Sequence, residues 1–165
     1  MKGLENNTYL ILYVISNVVA LVMLYAAWKN HRILRLMFFI LFAWASWTNW
    51  TEAIKTPQFY LDYADLTFFG FYYDFIHGWF SHHITLAVGF IAICQAFISI
   101  SMFLKGRILK TGAIGAIIFL LAIAPLGVGA AFPCTLIMAV AMSSLLREKQ
   151  IDYLWNGHSN NYLID

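Results

Sequence analysis

The sequence predicts an all-α fold, a polytopic membrane helical bundle of five spans. Two observations carry that reading: an apolar composition, and basic residues confined to alternate gaps between long apolar runs. Of 165 residues, 62% are hydrophobic and 11% charged, with a mean hydropathy of +0.73; charged residues alone make up about 25% of a soluble domain. Eight of the ten basic residues fall in three short gaps, Lys29, Arg32 and Arg35, then Lys105, Arg107 and Lys110, then Arg147 and Lys149. Short loops rich in Lys and Arg are retained in the cytoplasm, so the amino terminus is expected outside and the carboxy terminus inside. The net charge of +2 reflects those loops, and no basic tract is long enough to argue for nucleic-acid binding.

Residues 1–149 form the expected bundle, including an outer loop at 51–83, and 150–165 form a cytoplasmic tail. The run 9–28 follows a polar start and carries no small-residue cleavage site, so it reads as a retained span rather than a removed signal peptide. Residues 33–50 return across the membrane, with Arg35 snorkelling to the near surface and Trp44, Trp47 and Trp50 on one stripe. The 51–83 connection holds four acids against one lysine and is densely aromatic, with Pro57 ending or bending the helix before it. It is expected to lie on or dip into the outer headgroup layer as short helical pieces. Residues 84–104 form the third span. The uncharged run 111–146 would be about 54 Å long as a single helix, against a hydrocarbon core of about 30 Å. Pro125, Gly127, Gly129 and Pro133 therefore predict an outer turn between two spans, 108–124 and 131–146, with a re-entrant pair of half-helices as the other reading.

The polar groups that invite chemistry gather at the outer end. Glu52 closes the second helix, where a carboxylate facing a bundle accepts a proton or binds a small polar headgroup, or else is a solvated helix-end charge. Asp74 and His77 are spaced i,i+3, suiting a metal pair or a carboxylate-oriented imidazole, and a metal would need His82 or His83 as a third ligand. Gln95 lies mid-span, either bonding across helices or reaching a headgroup with Glu52. Trp47 and Trp79 belong to an aromatic layer that either seats the protein in the interface or forms a platform for an isoprenoid, quinone or lipid. Cys94 and Cys134 have no CxxC spacing and read as buried small apolar residues. The histidines do not lie on two facing spans at matched depth, as a bis-histidine haem requires, and no phosphate loop, nucleophile elbow or HExxH is present.

The stretch QAFISISMFLKGRILKTGAIGAIIFLLAIAPLG, preceded by WTNWTEAIKTPQFY and FIHGWFSHH, resembles the DoxX/DoxD-like family of small bacterial and archaeal membrane proteins. The resemblance covers about residues 34–146, with Gly106 and Arg107 at the family's Gly/Arg loop and Gln95 where the family usually has Glu. It implies a four-helix DoxX-like core with one extra amino-terminal span, a bacterial inner-membrane location and a link to membrane redox chemistry. Gln95 in place of the acid departs from a proton-handling role.

The expected function is a membrane-embedded subunit, not an enzyme by itself, that binds a quinone or lipid headgroup at the outer face and supports a redox partner. Its ligand site is expected to draw on Glu52, Asp74, His77, His82, Gln95, Trp47 and Trp79. No intrinsic cofactor is expected; its partners would be the bilayer and a membrane protein or a second copy of the chain. The alternative is a structural or assembly subunit with no ligand of its own, and a small transporter ranks last because the inner halves of the spans offer almost no polar path.

Overall fold

The computed structural model describes residues 4–5, 7–148 and 152–156, and all regular structure among them is helical. Helix α1 (Asn7–Lys29) turns into α2 (His31–Lys55) through one residue, Asn30, whose Oδ1 accepts from the backbone N–H of Arg32 at 2.9 Å and Ile33 at 3.2 Å. That side chain supplies two of the donors a helix start leaves free with an acceptor, so the chain reverses without a longer loop. Pro57 stops α2 as expected and opens a 3-10 segment, Pro57–Leu66. A short α3 (Gly70–Phe75) and a π-turn (Ile76–Phe80) lead to α4 (Ile84–Ser101). Then come α5 (Gly106–Ile123), a second 3-10 segment (Ala124–Ala130) and α6 (Cys134–Arg147).

The long helices close a ring in the order α1, α2, α4, α5, α6, with α6 packing back on α1. Its core holds Met23, Phe38, Phe42, Ile98, Ala113 and Met142, one or two from each helix, while the outer faces stay apolar and exposed, as on helices bathed in lipid. At the α4–α5 crossing, a Cβ on Gly112 would overlap Ser101 Oγ and sit 2.6 Å from Ser101 Cβ. Small residues let two backbones approach where lipid supplies no hydrophobic drive.

Four helices are long and apolar enough to cross a membrane by length and composition: Asn7–Lys29, His31–Lys55, Ile84–Ser101 and Gly106–Ala130, the last counting the 3-10 segment with α5. The fifth expected span is shorter. Helix α6 has 14 residues, about 21 Å. The turn before it is recessed, because Asn17 Nδ2, ten residues into α1, donates to Ala131 O at 3.1 Å. The 57–80 segment covers the recess from above: Phe68 N donates to Pro125 O at 3.0 Å and Tyr72 Oη to Ala122 O at 2.8 Å. Gly127 is required here, since its φ is +64° and a Cβ would lie 2.5 Å from Leu66 O.

At the end of the bundle that carries the basic loops, Arg35 does not snorkel. It is 4% exposed and donates inward, from Nε to Met102 O at 2.8 Å, Nη2 to Leu104 O at 2.7 Å and Nη1 to Asp152 O at 2.8 Å. Three carbonyls released where α4 ends and the tail docks outbid the water a snorkelling side chain would reach, and the α4 dipole adds to the attraction. Leu154 is buried against this end, with its N–H on Phe103 O at 3.1 Å. Cys94 also departs from expectation, since it is exposed on the lipid-facing side of α4 while Cys134 is buried. Of the tail, residues 149–151 and 157–165, Tyr162 among them, lie outside the described residues.

Gly112→Val should lower stability by about 1–3 kcal/mol through overpacking, measured as thermal unfolding in detergent. Arg35→Leu removes the donors of three carbonyls at about 1–3 kcal/mol each and should cost more than Gly112→Val in the same assay. The Asp152 carboxyl is held below its ordinary value of 3.8 mainly by hydrogen bonds from Asn156 and Tyr153, with help from Lys105 and Arg35. Its support for tail docking is therefore fully present above the ordinary value and is lost as pH falls through the lowered one. Hydrogen exchange at the Leu154 amide should show constant protection at neutral pH and loss only in that acid range.

Candidate ligand site on the α2–α4 seam

Helices α2 and α4 run antiparallel and are stitched along their length. Ser99 Oγ donates to Phe39 O at 3.0 Å, Ser46 Oγ to Ala92 O at 2.7 Å and Thr85 Oγ1 to Ala53 O at 3.0 Å. Between them, Asn49 Nδ2 donates to Gln95 Oε1 at 2.8 Å, and Tyr60 Oη donates to Asn49 Oδ1 at 2.9 Å. Gln95 is 1% exposed, so this chain satisfies polar groups that would otherwise sit unpaired in the bundle. The turn at Pro57 makes it possible by folding Tyr60 back over the last turn of α2.

Glu52 is half-buried beside the same turn. Burial first, and then the Glu52 carboxylate, push the phenols of Tyr60 and Tyr63 above the ordinary value, because an ionised phenol there would be poorly solvated and face a second negative charge. Glu52 and Trp50 are two positions apart, roughly 160° round the helix. They therefore serve opposite sides of α2.

Trp47 and Trp50 face outward and flank an apolar groove of about 400 Å³ between α2 and α4, floored by Ala43, Ala92 and Ala96. Above it, nearer the acidic end, a second groove of about 350 Å³ is lined by Pro57, Gln58, Ser81, His82, His83, Thr85 and Leu86. Leu86 in the upper groove and Ile93 and Ile100 in the lower one are spaced by seven residues. They share one face of α4, so the two grooves run in line.

The structure thus divides the expected site. Gln95 joins Asn49 and Tyr60 inside the bundle with Glu52 nearby, whereas Trp47 and His82 line the outer grooves. Trp79 stacks on His83 at 4.7 Å and so borders the upper groove. Asp74 and His77 stay apart: both are exposed, and His77 stacks on Tyr73 at 4.3 Å instead of pairing with Asp74. Among the described residues no group of three or more His, Cys, Asp or Glu side chains could hold a metal ion. Asn49 stands with Glu52 among the polar groups that the sequence places at the outer end of the second helix, whereas Gln58 and a hydrogen-bonding role for Tyr60 go beyond that reading; the sequence signal for Tyr60 is its place three positions after a helix-ending proline.

The fold and the seam define a class, an all-helical protein with helices suited to multiple membrane crossings. No family model, curated protein or solved structure matches the chain, and nothing in those comparisons identifies a DoxX-like protein.

Gln95→Leu should cost about 0.6 kcal/mol and at most about 1.7, the range measured for single hydrogen bonds between membrane helices, in detergent unfolding. In ultraviolet titration Tyr60 and Tyr63 should stay protonated past pH 10.0, their ordinary value, and Glu52→Gln should bring both back towards it. Since the native phenols bind protons more tightly than the unfolded chain, their stabilising effect holds below that ordinary value and is lost as pH rises through the raised native ones.

Proposed function

We propose that this protein is a membrane-embedded accessory subunit that binds a quinone or similar amphiphile on the acidic-end half of the α2–α4 seam and presents it to a redox partner. One observation carries the reading: a polar groove stands directly in line with an apolar one on the same face of α4. A headgroup or ring would sit beside His82, Gln58 and Ser81, with its chain running down past Trp50 and Ile93. Small-molecule sites combine a mostly apolar wall with a few polar groups that fix orientation, and this pair of grooves has that division. Glu52, Asn49 and Gln95 then act on the ligand indirectly, by anchoring the Tyr60 turn that carries Pro57 and Gln58. The chain contributes binding and placement, and electron transfer belongs to the partner.

For topology we infer five spans, with the amino terminus outside and the carboxy terminus in the cytoplasm of a bacterial inner membrane. The alternate basic gaps support the orientation, the closed ring of five helices supports the span count, and the bacterial membrane is an implication of the DoxX-like resemblance alone. The assembly-subunit reading keeps one specific support: a floor of Ala43, Ala92 and Ala96 accepts a partner helix as well as a chain.

A photoreactive short-chain quinone added to the detergent-extracted protein should crosslink within residues 81–93. His82→Ala and Trp50→Ala should each lower the yield about tenfold, the effect of about 1.4 kcal/mol, while Glu52→Gln, which reaches the ligand only through the Tyr60 turn, lowers it less. Labelling confined to the Glu52 side, or none at all, would overturn the ligand reading, and capture of a co-purified protein at Ala92 and Ala96 would favour assembly.

A further inference from the structure

We propose that residues 152–156 form a membrane-surface anchor, locked in place by Arg35, that docks the basic end of the bundle onto anionic phospholipid headgroups. The tail is held by its backbone, with Asp152 O on Arg35 Nη1 and Leu154 N on Phe103 O, and Leu154 turned inward. That pose turns the neighbouring rings outward. Tyr153 and Trp155 stack on each other at 4.6 Å, Lys105 Nζ lies 4.7 Å from the Tyr153 ring centre, and Trp155 is 60% exposed. At the same end Trp28, in the last turn of α1, is 89% exposed. Amphipathic rings at a helix end mark the headgroup level of a bilayer.

Charge selects the partner. Seven lysines and arginines among the described residues lie at this end, against Glu148 and Asp152. The one ion pair among those residues joins Glu148 to His31 at 2.9 Å, and the Asp152 carboxylate accepts from Tyr153 N at 2.8 Å and Asn156 Nδ2 at 3.0 Å. Lys29, Arg32, Lys105, Arg107 and Arg147 therefore remain exposed without a carboxylate salt bridge, at the same end as the two outward tryptophans. A surface of unpaired cations with interfacial aromatics is complementary to anionic lipid, and a neutral headgroup offers it no counter-charge. The proposal does not depend on the quinone reading, nor on which compartment this end faces.

The test places a nitroxide at Asn156→Cys, beside Trp155 so that both rings stay in place, in full-length protein carrying Cys94→Ala and Cys134→Ala, and measures its depth by power saturation. The vesicles are phosphatidylcholine alone, or phosphatidylcholine mixed with phosphatidylglycerol. With phosphatidylglycerol the label should report headgroup depth, and Lys105→Ala or Arg107→Ala should each shift its docked-to-free ratio about fivefold towards water. Raising the salt concentration should do the same. Arg35→Leu should free the label completely. An aqueous label in the anionic vesicles, equal depth in both vesicle types, or indifference to both lysine and arginine replacements would overturn the proposal; these arms stand even if Arg35→Leu does not fold.

Discussion

A carbonyl released by a broken helix has no water to turn to inside a bilayer, and this constraint organises the molecule. The chain interrupts its helices at both ends of the bundle; the α1–α2 break is capped locally by Asn30, and at the ends of α4 and α5 donors arrive from elsewhere in the sequence. Arg35 serves Met102, Leu104 and Asp152 at the basic end. At the acidic end Asn17 serves Ala131, Tyr72 serves Ala122 and the Phe68 amide serves Pro125. Each bond joins segments at least fifty residues apart, so the polar contacts that look like local repairs also fix the helix order. The buried hydroxyl of Thr135 is the one buried side-chain donor or acceptor among the described residues without a partner.

The same logic explains why α2 and α4 form the most extensively packed seam of the ring. Its two helices bond through Ser46, Ser99, Thr85 and the Asn49–Gln95 pair. With the polar groups spent inside the seam, its outer face is left to apolar side chains and the grooves between them. The position of Tyr60 links the two sides: it caps the internal pair and holds the turn that walls the upper groove. Structural and ligand-facing roles thus meet on one short 3-10 segment.

Much of the fold was legible because hydropathy and charge report on solvent directly. Residues 9–28, 33–50, 84–104 and 108–124 anticipate α1, α2, α4 and α5 to within a few positions, and Pro57 marks the end of α2. The partners of buried polar residues were not legible, because they depend on contacts distant in sequence. Arg35 reads as a snorkelling side chain until the ends of α4 and the tail converge on it, and Cys94 reads as buried until the face of α4 it occupies is known. The candidate site was half legible for a related reason. Sequence proximity gathers Glu52, Asp74, His77 and His82 into one outer region, but helical phase sends Glu52 and Trp50 to opposite sides of α2, and the short α3 carries Asp74 and His77 outward.

The brevity of α6 has a consequence for the lipid around the bundle. Helices α1 and α2 are about 34 and 38 Å long, against about 21 Å for α6, so the ring is taller on one flank than on the other. Above α6 the missing height is made up by the 57–80 segment, where Phe68 packs on Phe132 at 5.3 Å and Tyr63 lies against Gly129. The annulus is consequently lopsided in what it touches, one continuous helix at α2 and a short helix under an aromatic roof at α6. That two-part flank gives the molecule a compass direction within the plane of the bilayer.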